Sequence, residues 1–131
     1  MTQNKLAAKI EKHLQNWANI LNISDYKFTI KFANNAEIDG DYANVDTEEH
    51  TREVVMTFNR HRLNKEPHEI ERTVVHELLH VRFNEYAEHL EDVLKEYGDS
   101  PKVKRILRSK ADKLEHKIIV ALTEALIKET K

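Results

Sequence analysis

The chain has 131 residues, of which 40% are hydrophobic and 34% charged, and its formal net charge is −2. This length suits a single domain over residues 1–131, and the charge excludes the strongly basic surface typical of nucleic-acid-binding proteins. The absence of cysteine excludes disulfides, thiolate–zinc sites and cysteine catalysis.

The N-terminal segment is polar and lacks the apolar core of a signal peptide. No apolar run approaches the length of a membrane span. We therefore expect a cytoplasmic protein with neither nucleic acid nor membrane as a partner.

The first predicted element is a helix over residues 3–21, because apolar residues recur there at steps of three and four. These residues are Leu6, Ile10, Leu14, Trp17 and Leu21. Asn22 and Ser24 then interrupt the pattern.

Three strands are predicted next. Residues 26–32 alternate, with Tyr26 and Phe28 among the four apolar residues of one face. Residues 41–45 are polar and suit the edge of a sheet, whereas residues 53–59 are more apolar and suit its interior. The sequence thus predicts a small mixed three-stranded sheet within an α+β domain.

A long helix is predicted from Pro67 to Tyr97, with Gly98 as its C-terminal cap. Its predicted apolar stripe consists of Val75, Leu79, Phe83, Tyr86, Leu90 and Val93. After Gly98 the chain is expected to turn back, with Ser100 as N-cap and Pro101 as the first residue of a last helix. The two helices should pack as an antiparallel pair.

The long helix contains His76-Glu77-Leu78-Leu79-His80, a spacing typical of zinc metallopeptidases. Residues i and i+4 lie on one helical face, so the two imidazoles can hold one ion. Glu77 lies about 100° round the helix, beside the ion, where its carboxylate can take a proton from a water that the metal acidifies. The motif therefore predicts Zn²⁺ as cofactor and Glu77 as general base.

A catalytic zinc usually has three protein ligands, and the last helix offers Glu115, His116 and Glu124. Glu115 falls inside the predicted apolar stripe of that helix, where a carboxylate needs a partner such as a metal ion. Glu124 falls nearly opposite the stripe, and His116 at its margin. We predict Glu115 as the third ligand and keep His116 as the alternative. The stripe itself consists of Leu107, Ala111, Leu114, Ile118, Leu122, Ala125 and Leu126.

On the motif and the order of its elements, the sequence resembles the zincins, and among them the gluzincins, whose third ligand is a glutamate on a later helix. It is similar to small phage and bacterial metallopeptidases that contain little beyond a minimal zincin domain. The motif at residues 76–80 matches fully, and the segment around Glu115 matches loosely.

The resemblance implies that His76 and His80 hold zinc and that Glu77 passes a proton to the leaving amine. It implies a peptide or protein substrate, paired as an extended strand with the edge strand at Tyr42–Val45. Many relatives carry a residue that stabilises the oxyanion; Tyr42, Tyr97 and His61 are candidates for that role.

Two other interpretations remain open at this stage. One is a zincin-like fold that binds metal, cleaves little and acts as a regulatory or protein-interaction module. The other is a metal-free helical interaction module in which the motif is accidental. The hypothesis that the sequence favours is a zinc metallopeptidase, an endopeptidase that hydrolyses peptide bonds with a metal-activated water and Glu77 as general base.

Overall fold

A computed structural model describes residues 1–97 and 100–129. The α+β prediction is confirmed: the described chain combines four helices with a small sheet. The elements are α1 (Gln3–Ile20), β1 (Lys27–Ala33), β2 (Ala43–Glu48), β3 (Glu53–Asn59), α2 (Arg60–Lys65), α3 (Ile70–Tyr97) and α4 (Pro101–Glu129). Within the described ranges, no helix has the combination of length and apolar character that crossing a membrane requires.

The sheet is mixed and three-stranded, as predicted, with the strand order β1-β3-β2. β1 pairs parallel to β3, with Phe28 opposite Val54, and β2 pairs antiparallel to β3, with Val45 opposite Met56. β3 is therefore the central strand, and its residues Val54, Met56 and Phe58 are buried on one face of the sheet. β2 is an edge strand, displaced a few residues towards the C-terminus from the predicted segment 41–45.

The core lies between the sheet, α1 and the first half of α3. α1 contributes the fully buried Leu6, Ile10 and Trp17, which confirms its predicted packing face. Trp17 also donates its indole N–H to Glu71 Oε2 at 3.0 Å, and His13 Nδ1 lies 3.4 Å from the same oxygen. These contacts join α1 to the first turn of α3, just ahead of His76.

The ends of the two long helices follow the predicted signals where they are described. Pro67 opens a 3₁₀ turn, Pro67–Glu69, that leads directly into α3. α4 begins at Pro101, and Ser100 Oγ accepts a hydrogen bond from the Val103 backbone N–H at 3.3 Å. The predicted cap at Gly98 lies outside the described residues.

The rotation of α4 differs from the prediction. The face that packs against α3 carries the buried Ile119 and Thr123, whereas Leu114 in the predicted stripe is 60% exposed. Four other residues of the predicted stripe also lie largely in solvent: Leu107, Ile118, Leu122 and Ala125. At about 100° per residue, the packed face is about a third of a turn from the predicted one.

Several polar contacts are made in this orientation of α4. Arg108 binds Glu91 through two hydrogen bonds of 2.6 and 2.8 Å, and Arg72 Nε lies 2.7 Å from Glu124 Oε1. The Thr123 hydroxyl donates to the Ile119 carbonyl at 2.7 Å, so it needs no other partner on the buried face. Counting apolar residues alone could not anticipate these contacts. On α3 the predicted stripe is buried at Val75 and Leu79, but Tyr86 is 66% exposed.

Paired substitutions on α4 test this rotation. Ile119→Ala should lower the free energy of unfolding by about 2–5 kcal/mol, because Ile119 is fully buried. Ile106→Ala makes the same change at an exposed position of the same helix and should stay within about 0.5 kcal/mol of wild type. Urea denaturation of both variants measures the difference. Equal losses would contradict the described orientation of α4.

Candidate metal centre

His76 and His80 lie one turn apart on the same face of α3. Their ring centroids are 5.1 Å apart and the rings are inclined at 66°. Both side chains are half-buried, at the border between the core and an open cleft. The motif therefore has the local geometry that was expected from its spacing.

His116 on α4 completes a group of three histidines. Its ring centroid is 5.8 Å from that of His76, and the ligand atoms of His76, His80 and His116 all lie within 4.8 Å of one another. We call these residues the three-histidine group. In the described part of the chain it is the one set of three or more metal-ligating side chains at such distances.

Glu115 lies beside this group without belonging to it. It lines the same cleft and is half-buried, and burial raises the pKa of its carboxyl, with a further contribution from the Asp112 charge. The geometry favours His116, the alternative, as the third ligand. Glu115 as a ligand stays a prediction. Glu124 is exposed and its carboxylate pairs with Arg72 rather than with the histidines.

Glu77 is buried between the core and the cleft, with 7% of its surface exposed. Burial raises the pKa of its carboxyl to about 8, and the charge of Asp41 contributes in the same direction. A carboxyl group with such a pKa beside a cleft is typical of acid–base catalysts. With this pKa the carboxyl is largely protonated at neutral pH, so it could accept a proton only where a nearby positive charge, such as a bound metal ion, lowers its pKa.

The two histidines of α3 are held in the neutral form. Burial lowers the pKa of His80 to about 4, and the neighbouring His76 and His116 lower it further. Burial also lowers the pKa of His76, with a smaller contribution from His116. Neutral imidazole is the form that binds a metal, so these side chains need not lose a proton on binding at neutral pH.

The donor set itself indicates which metals fit. Three imidazole nitrogens suit zinc, copper, iron or nickel, whereas magnesium and calcium prefer oxygen ligands. Three protein ligands also leave one position of a tetrahedral zinc site open for water, as in catalytic sites. The residues present therefore fit a catalytic zinc ion.

The three-histidine group opens into a cleft of about 640 Å³. One wall is formed by residues 43–47 of the edge strand β2, the base by α3, and the other side by Glu115 and His116 of α4. The side of β2 that does not pair with β3 faces this space. An extended chain that enters the cleft would therefore meet backbone groups of a sheet edge.

The candidates for an oxyanion-stabilising residue have different surroundings. Tyr42 lines the cleft, but its hydroxyl donates to Glu66 Oε1 at 2.9 Å, and the Arg62 guanidinium lies 3.6 Å above its ring. His61 is exposed on α2 and does not line the cleft. The side chain of Tyr97 lies outside the described part of the structure.

Sequence reasoning missed several residues that line the cleft. Arg72 and Asn84 lie one turn before His76 and one turn after His80, and Thr73 lies beside them. Extending the four-residue spacing of the motif in both directions would have found the first two. Asn84 Nδ2 donates to Glu49 Oε1 at 3.0 Å, and Glu49 also accepts a 2.6 Å hydrogen bond from the Tyr26 hydroxyl. These contacts hold the end of β2 beside α3.

Comparisons with known proteins leave the chain without a family assignment: no family model matches it, and neither the curated proteins nor the solved structures provide a significant match.

Proposed function

We propose that this chain is a zinc-dependent metallopeptidase with a zincin-like fold. The observation that carries the proposal is the placement of the three-histidine group and the buried Glu77 together in one cleft, beside a free strand edge. Histidine ligands, a carboxylate base and access for an extended chain are the parts that metal-assisted peptide hydrolysis requires.

The chain's own residues have distinct roles in this proposal. His76, His80 and His116 hold the zinc ion. When bound, the ion polarises the scissile carbonyl, acidifies a water molecule and favours the carboxylate form of Glu77. Glu77 accepts the proton of the attacking water and transfers it to the leaving amine. Burial of Glu77 limits competing solvent hydrogen bonds to its carboxylate.

The proposed substrate is a peptide or an unfolded segment of a protein in extended conformation. The free edge of β2 supports this, because backbone hydrogen bonds to an edge strand recognise an extended chain independently of its sequence. The segment Tyr42–Val45, which the resemblance implies as the substrate-binding edge, overlaps the part of β2 that lines the cleft.

The direct test is hydrolysis of an unbiased peptide library by the full chain, purified without a histidine tag. We expect cleavage with zinc, loss of cleavage after chelation and recovery when zinc is restored, with about one zinc per chain by elemental mass spectrometry. Stoichiometric zinc without any turnover would contradict the peptidase and support a metal-binding interaction module. Absence of bound metal after reconstitution would contradict both.

A further inference from the structure

The side of α4 that faces away from the protein carries a continuous apolar stripe. It is formed by Leu107, Ala111, Leu114, Ile118, Ala121 and Ala125, which we call the α4 seam. Five of these residues are exposed and Ala111 is half-buried. Single exposed leucines are ordinary, but an aligned stripe of apolar side chains indicates an interaction surface.

The spacing of the α4 seam indicates what kind of surface covers it. Its residues follow one another at steps of four, three, four, three and four, which is the seven-residue repeat of a coiled coil. A seam of this period suits a second helix, and the exposed Val103 and Leu122 lie on its two flanks. The stripe extends over about 27 Å at 1.5 Å per residue.

We propose that the α4 seam is the interface of a homodimer in which the α4 helices of two copies pack antiparallel. The seam is symmetric about position 116, so it is complementary to itself under a two-fold axis. In that arrangement Leu114 meets Ile118 of the second copy, and Leu107 meets the small Ala125. Large and small side chains thus oppose each other at both ends of the interface.

Charges beside the seam support the second copy as occupant and the antiparallel direction. Lys110 and Glu124 are two heptads apart and lie on the same flank of α4. Glu124 contacts Arg72 of its own chain, but 57% of its side chain stays exposed. An antiparallel pair therefore places Lys110 of each copy beside the Glu124 carboxylate of the other, which adds a second cation to each of these carboxylates. Lys117 would lie opposite Lys117 of the second copy near the two-fold axis. Both charges are exposed there, so their repulsion is small.

The interface leaves the candidate metal centre accessible. His116 lies about 160° round α4 from Ile118, so the seam and the three-histidine group are on opposite sides of the helix. Dimer formation therefore depends on neither zinc nor peptide hydrolysis. A failure of the proposed peptidase activity would leave this inference intact, and the converse also holds.

Analytical ultracentrifugation of the full chain over a wide concentration range provides the test. We expect a monomer–dimer equilibrium, and Leu114→Glu should raise the dimer Kd about 100-fold by placing a charge in the centre of the seam. Val120→Glu introduces the same charge at an exposed position about 140° round the helix from the seam and should leave the Kd unchanged. Because Leu114 is exposed in the monomer, its substitution should not unfold the chain. A monomer at all concentrations, or a dimer insensitive to Leu114→Glu, would overturn the proposal.

Disulfide trapping determines the direction of the helices, since the chain contains no native cysteine. In the antiparallel pair Ala111 lies opposite Ala121 of the second copy. Ala111→Cys and Ala121→Cys should therefore form a covalent dimer when the two variants are mixed and oxidised, and little when each is oxidised alone. Efficient trapping of each variant with itself would indicate a parallel pair and overturn the proposed arrangement.

Discussion

His116→Ala is expected to reduce zinc affinity by more than about 100-fold, because it removes one of three direct ligands and even supporting residues contribute 10- to 100-fold. The His116 side chain is exposed, so its loss should leave the fold unchanged. Zinc content after dialysis and competition with a chromogenic chelator both measure the effect. Circular dichroism should show the wild-type helix content.

Glu115→Ala is the matched control for this prediction. It truncates the adjacent residue, which lines the same cleft but lies outside the three-histidine group. We expect it to retain about one zinc per chain. The reverse pattern, with zinc lost from Glu115→Ala and retained by His116→Ala, would show that the glutamate predicted from the sequence is the third ligand after all.

Glu77→Gln should separate metal binding from catalysis. The amide keeps the size and the burial of the side chain but cannot accept a proton, so we expect peptide hydrolysis to fall by about 10²–10⁴-fold. Zinc stoichiometry should stay at the wild-type value, because Glu77 is not a member of the three-histidine group.

His80→Ala is the contrasting variant for Glu77→Gln. It should lose zinc and hydrolysis together, since it removes a ligand one turn away on the same helix. A Glu77→Gln protein that retains wild-type turnover would show that another group acts as the base. Loss of zinc from Glu77→Gln would instead show that the carboxylate supports the metal directly.

The sequence was most informative where structure is local. The spacing of His76 and His80 and the alternation of β1 depend on the periodicity of one element, and the structure has both as expected. The edge position of β2 was predictable from its polarity. In each case the relevant contacts lie within one helix or between neighbouring strands.

The third residue of the three-histidine group could not be predicted from any one helix or strand. Its identity depends on how α4 is rotated against α3, with Ile119 and Thr123 buried at their contact and ion pairs such as Arg108 with Glu91 beside it. The apolar pattern pointed to the face with Leu114 and Ile118, which the structure leaves exposed. A helix with two apolar faces gives an ambiguous signal, because periodicity does not indicate which face packs against the rest of the same protein chain.

The position of His116 on a separate helix also has a kinetic consequence for the proposed site. His76 and His80 are correctly spaced whenever α3 is helical, but His116 joins them only while α4 is docked. α4 buries few side chains completely, with Ile119 the main apolar one, so its detachment should be among the low-energy openings of the protein. Zinc would then escape through that opening, and the rate of metal exchange would report how often the last helix lifts away.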